Sequence, residues 1–242
     1  MKKHLLFLLI IMFYGCTESN LAFHPRLNPS NGTLELVQTF GGSKNDVAKS
    51  VISTADGGFA VLGYTQSLDG DITDKATEDY DFWMLKFNSE AQLEWNKTYG
   101  GSGDDRGSSL IETSDGGYAL LGYSDSSDGD VSSNNGNRDF WLVKINASGV
   151  LSWEKSFGYE GVDEGVSIIE TSDNHLMLSG VLDVTASGGE GNQGRFSTKH
   201  AGGDYWSIKI TPTGDIVWSR FYGGSFTDSP TGISETLIGG FI

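Results

Sequence analysis

The feature that most constrains this chain is that it repeats itself. From Tyr99 it reads YGGSGDDRGSSLIETSDGGYALLGYSDSSDGDV, followed by RDFWLVKINASGVLSWEKS. From Phe40 it reads FGGSKNDVAKSVISTADGGFAVLGYTQSLDGDI, followed by YDFWMLKFNSEAQLEWNKT. A third copy opens at Phe157, with DEGVSIIETSDNHLMLSG and later DYWSIKITPTGDIVWSR. Copies begin at Phe40, Tyr99, Phe157 and Tyr222, in steps of 59, 58 and 65 residues; the longest step reflects a larger loop between Leu182 and Asp204. Tandem units of this size bury their apolar faces against one another, so the chain reads as an array.

Each copy holds four short β-type runs separated by turn signals. In the second copy these are Ser108 to Ser114, Tyr118 to Ser124, Asp139 to Ile145 and Val150 to Phe157, called A to D here. Asp56-Gly57 and Asp115-Gly116 join A to B, as a tight turn with positive φ requires, and Asp173-Asn174 takes their place in the third copy. Asn146 to Gly149 is a second hairpin signal, between C and D. No helical period follows the first segment. The six tryptophans fall two per copy (Trp83 and Trp95, Trp141 and Trp153, Trp206 and Trp218), a recurrence that marks repeated core positions rather than a sugar-stacking platform.

The expected fold is all-β, a β-propeller-like array of four-stranded antiparallel blades. The YGGS, DGGY, DFW and W motifs resemble the Gly-rich propeller-type repeats of exported bacterial lipoproteins and other surface proteins, over Leu34 to Ile242. Kelch repeats differ: here the Gly pair precedes strand B and the Trp lies on C. The TSDGGY turn lacks the closing pair of an Asp-box, so no sialidase residues are carried over. The resulting division is a lone D strand at 34–40, blades at 41–98, 99–156 and 157–221, and a partial fourth blade at 222–242. Three blades and part of a fourth make an incomplete ring. Either the chain is truncated relative to a protein of five or more blades, or it is an open three-blade arc that oligomerises.

Residues 1–15 carry Lys2 and Lys3 and the apolar run from Leu5 to Tyr14, too short to span a bilayer but matching the apolar region of a signal peptide. Gly15-Cys16 resembles a lipobox, which implies lipidation of Cys16, the only cysteine, and a polar tether over 16–33. Phe13 and Tyr14 depart from the usual residues there. The expected address is the bacterial cell envelope, lipid-anchored at the outer membrane or cell surface.

A net charge of −16 without a basic run argues against nucleic acid. In a propeller blade the D–A and B–C loops emerge on one face, and both carry acid. Asp69, Asp71, Asp128 and Asp130, paired two apart across a Gly, are candidate calcium ligands; the alternative is that Asp-Gly simply makes turns. Asp46, Asp104, Asp105 and Asp163 on the D–A loops are further ligand-face candidates, with Arg195 and His200 from the basic insertion of the third B–C loop. No catalytic residues are assigned, because the carboxylates recur in every copy whereas an active site needs a unique pair. The expected function is a membrane-anchored binding or scaffold module for an unknown protein or glycan. The alternative is a carbohydrate-active, glycosidase-like protein on the same platform.

Overall fold

The computed structural model describes residues 37–183, 203–224 and 226–242. The signal segment, Cys16, the tether, Arg195 and His200 lie outside them. The described residues are all-β, with twelve strands and no helix. β1 (Asp46–Ser53), β2 (Phe59–Thr65), β3 (Asp81–Phe87) and β4 (Leu93–Tyr99) form the first sheet. β5 (Asp105–Glu112), β6 (Tyr118–Ser124), β7 (Asp139–Ile145) and β8 (Leu151–Phe157) form the second. The third contains β9 (Glu164–Glu170), β10 (Leu176–Asp183), β11 (Gly203–Ile210) and β12 (Ile216–Tyr222). All three are antiparallel meanders in chain order, one per repeat. Val37 to Phe40, the described part of the expected lone strand, has no strand assignment.

The turns are built as the dipeptides require. Gly57 N–H donates to Thr54 C=O and Thr54 N–H to Gly58 C=O, with Gly57 at φ 85°. Gly116 (φ 80°) and Asn174 (φ 62°) occupy the same position in the next two sheets. The loop is longer than a two-residue hairpin, because Asp56 and Asp115 fold back to accept from Gly58 and Gly117 N–H. Each is also gripped from strand C: Lys86 binds Asp56, and Lys144 binds Asp115. Lys209 does the same for Asp173. The fourth copy repeats the turn, with Thr236 N–H to Gly240 C=O and Gly239 N–H to Thr236 C=O.

The core lies between sheets. Ala60, Leu62, Phe82, Met84 and Tyr99 of the first sheet face Leu110, Leu120, Trp141 and Val143 of the second. Ala119, Leu121, Phe140, Leu142 and Phe157, on the opposite face of the second sheet, meet Ile168, Leu178, Trp206 and Ile208 of the third. Trp83, Trp141 and Trp206 are buried, while Trp95, Trp153 and Trp218 are half-buried at the sheet edges, so the two tryptophans of a repeat do different work. Strand A of the second and of the third sheet lies across strands A to C of the preceding sheet and is clasped at its far end. Glu112 accepts from Ala55 N–H, Glu170 from the N–H and hydroxyl of Ser114, and Glu235 from the same groups of Ser172.

Candidate functional site

The D–A and B–C loops of one repeat do meet at one end of its sheet, and the Asp-Gly-Asp motif joins them. Asp69 Oδ1 accepts from Ser43 N–H at 2.7 Å and Asp71 Oδ2 from Gly41 N–H at 2.8 Å. Asp71 N–H in turn donates to Gly41 C=O. In the next repeat Asp128 accepts from Ser102 N–H, Asp130 accepts from Gly100 N–H, and Asp130 N–H donates to Gly100 C=O. Gly70 and Gly129, at φ 68° and 64°, turn the chain between the two carboxylates. The motif is therefore a clasp on the Gly-Gly crossing. Ser43 N–H holds the Asp69 carboxyl below its usual range, whereas burial pushes Asp130 up, aided by Glu154 and Asp74.

The D–A aspartates turn inward. Asp46, Asp105 and Asp163 are buried. Asp46 accepts from Gly42 N–H and the hydroxyls of Thr65 and Ser67; Asp105 accepts from Gly101 N–H and Ser126 Oγ. Asp163 accepts from Tyr159 and Asp183 N–H. Three of the four sequence candidates on these loops are thus loop anchors. Asp104 alone stays partly exposed, paired with Arg106 at 2.7 Å. Arg106 also lies over the Tyr80 ring at 4.1 Å and the Tyr64 ring at 5.2 Å, a cationic and aromatic contact between the first two sheets.

A cleft of about 310 Å³ opens on this loop end, at the seam between the first and second sheets. Its walls carry Asp74, Asp128 and Asp130 with the hydroxyls of Thr77, Thr98 and Ser102. Asp74 is steadied by Thr98, whose N–H and hydroxyl both donate to it. Lys75, buried in the same wall, is neutralised by Asp79 at 2.7 Å and Asp81 at 3.0 Å. Asp128 accepts through Oδ1 and Asp130 through Oδ2 in these clasps. Among the described residues no group of three or more His, Cys, Asp or Glu is arranged to hold a metal ion. The cleft is lined by acidic acceptors and hydroxyls together, which suits a ligand rich in hydrogen-bond donors.

Asp74, Thr98 and Ser102 were not singled out by the sequence. The signal was present but weak: the first B–C loop is longer and more acidic than the second turn region requires, and Asp74 sits four residues past the conserved-phase Gly70 of that loop. Compared with known protein families and with curated proteins, the chain matches none.

Proposed function

We infer that the chain is a propeller-type, membrane-anchored binding or scaffold module of the bacterial cell envelope, with the seam cleft as its ligand-facing site. The observation that carries this reading is the placement of the cleft: it lies where the loops of two neighbouring repeats converge, and it is lined by Asp74, Asp128, Asp130 and three hydroxyl side chains. The recurring Asp clasps and anchors support binding over hydrolysis, since they spend their oxygens on backbone amides in each copy. Each sheet packs its strand A across the preceding sheet, which supports a blade-like arrangement. The lipidated Cys16 and the signal segment supply the anchor in this reading.

The test takes the full chain to a glycan array and to calorimetry with calcium. A bound glycan or calcium is expected to be lost about tenfold, or ~1.4 kcal/mol, in Asp74→Asn, with an unchanged melting temperature. Hydrolysis of an arrayed glycan would replace the binding module with the glycosidase. Palmitate labelling lost in Cys16→Ser would support the anchor, and unlabelled wild type would remove it.

A further inference from the structure

Gly100, Gly158 and Gly223 each stand first in a D–A crossing, and none has a positive φ. They are glycines for space. At Gly100 a Cβ would lie 2.5 Å from Asp81 Oδ1 and 2.7 Å from Asp105 Oδ2. At Gly158 it would meet Asp139 Oδ1 at 2.2 Å and Asp163 Oδ2 at 2.9 Å, and at Gly223 Asp204 Oδ1 at 2.4 Å and Asp228 Oδ2 at 2.9 Å. Oxygens of the first aspartate of strand C in one repeat and of the aspartate at the end of the following D–A crossing therefore flank the same point, over a residue that has no side chain. In the first two seams all four carboxyls are buried, with Asp105, Asp139 and Asp163 fully so. Asp81 Oδ1 and Asp139 Oδ1, the strand C oxygens nearest those glycines, accept no hydrogen bond, and neither does Asp105 Oδ1.

Two carboxylates facing each other out of water cannot both stay ionised, and an oxygen with no donor has room for a proton of its own. We propose that each buried seam holds a proton between its two aspartates, Asp81 with Asp105 and Asp139 with Asp163, so that neighbouring sheets are joined by a carboxyl–carboxylate hydrogen bond that closes in mild acid and is lost in alkali. The proton sits on Asp139 Oδ1 and points at Asp163 Oδ2. This goes beyond the ligand reading above and does not depend on it.

The surroundings of the two seams differ. Around Asp139 and Asp163 stand Asn135 N–H, Tyr159 N–H and Asp183, whose N–H binds Asp163 while its charge opposes ionisation. The adjacent Arg138 is spent on Glu164 at 2.9 Å. Around Asp81 and Asp105 stand Lys75, bound to Asp81 Oδ2, then Asp79, Asp125 and the hydroxyls of Ser124 and Ser126. Burial is the first cause that raises all four: Asp81 and Asp163 to about 7, Asp105 to about 6, and Asp139 in the same direction. A folded-state value raised above the unfolded one gives stability that is complete below about pH 4 and lost as pH rises through 6 to 7. The second seam, without a lysine, carries the larger share.

The test is the melting temperature of the full chain between about pH 5.5 and about pH 8.5, for wild type and Asp139→Asn, whose amide supplies a permanent N–H in place of the proton. Wild type is expected to lose roughly 5–10 °C over that range and Asp139→Asn less than half as much. Infrared spectra of wild type should keep a carboxylic-acid carbonyl band at about pH 6, where free aspartate has none, and the band should weaken in Asp139→Asn. A flat wild-type profile or an absent band overturns the proposal even if the variant does not fold. So does full rescue of wild type at high pH by calcium, which would give the seam to a metal.

Discussion

The second and third sheets share a sequence pattern, a topology and a register, yet they are finished differently on the face that looks onward to the next repeat. On the second sheet that face is Ala119, Leu121, Phe140, Leu142 and Phe157, all buried under the third sheet. On the third sheet the same positions are Met177, Ser179, Tyr205, Ser207 and Tyr222. Two leucines have become serine, and two phenylalanines have gained a hydroxyl. Tyr222 is half exposed, and Tyr205, Ser207, Trp218, Arg220 and Phe241 line a groove of about 390 Å³. On the opposite face the indole nitrogens differ too: Trp83 donates to Asn96 and Trp141 to Glu154, but Ser219 stands at the third position, and Trp206 Nε1 has no acceptor among the described residues. The lesson is that the apolar residues joining a sheet to the one before it recur, as Leu120, Trp141 and Val143 do in Leu178, Trp206 and Ile208, while the onward face turns more polar between the second and third sheets.

That contrast can be broken most forcefully at the aromatic on strand C. Phe140→Ala should cost about 3–5 kcal/mol in urea unfolding, because it opens a cavity between two sheets, whereas Tyr205→Ala at the same position of the third sheet should cost less than about 2 kcal/mol. Equal losses would show that the third sheet's onward face is packed as tightly as the second's. A smaller effect should sharpen the comparison at the indole. Ser219→Glu gives Trp206 the acceptor that Glu154 gives Trp141, and should raise stability by about 1 kcal/mol; no gain would mean that the Trp206 N–H is already satisfied. The smallest effect extends the comparison to the first sheet. Its C–D turn places Ala91 at φ 59°, where the second and third sheets use Gly149 and Gly214. Ala91→Gly should add about 0.5–1 kcal/mol by thermal unfolding, since alanine is strained there.

The architecture was largely legible because its signals are local. Strands B and C of the second copy were read to the residue, and D to within one, since turn residues bound apolar runs on both sides. Strand A, read as Ser108 to Ser114, runs Asp105–Glu112: it ends two residues earlier and begins three residues earlier, and Asp105-Arg106-Gly107 carries no β-type pattern. Those residues enter the sheet because the partner strand supplies Ser124, Tyr123 and Gly122 through a bulge, which a single segment cannot announce. The loop acids were placed at the correct end, but their partners were invisible. Asp69 reaches back 26 residues to Ser43 N–H, and Asp139 faces Asp163 only because one repeat stacks on the next. Spacing counted within a loop suggested Asp69, Asp71, Asp128 and Asp130 as cation ligands; contact across loops shows each of them also accepting from a backbone N–H of the D–A crossing.

The glutamate that ends strand A in the second and third copies, and that recurs in the fourth, has a wider meaning. Glu112, Glu170 and Glu235 each reach back to the turn of the preceding repeat, so the three joints among the described residues share one grip. Each of these joints is thus the same fitting, so a copied or deleted unit of one period meets its neighbours with matching parts. A gene for such a chain can lengthen or shorten by whole units while each intermediate still closes its seams, which makes repeat number a variable that selection can reach without passing through a misfolded protein.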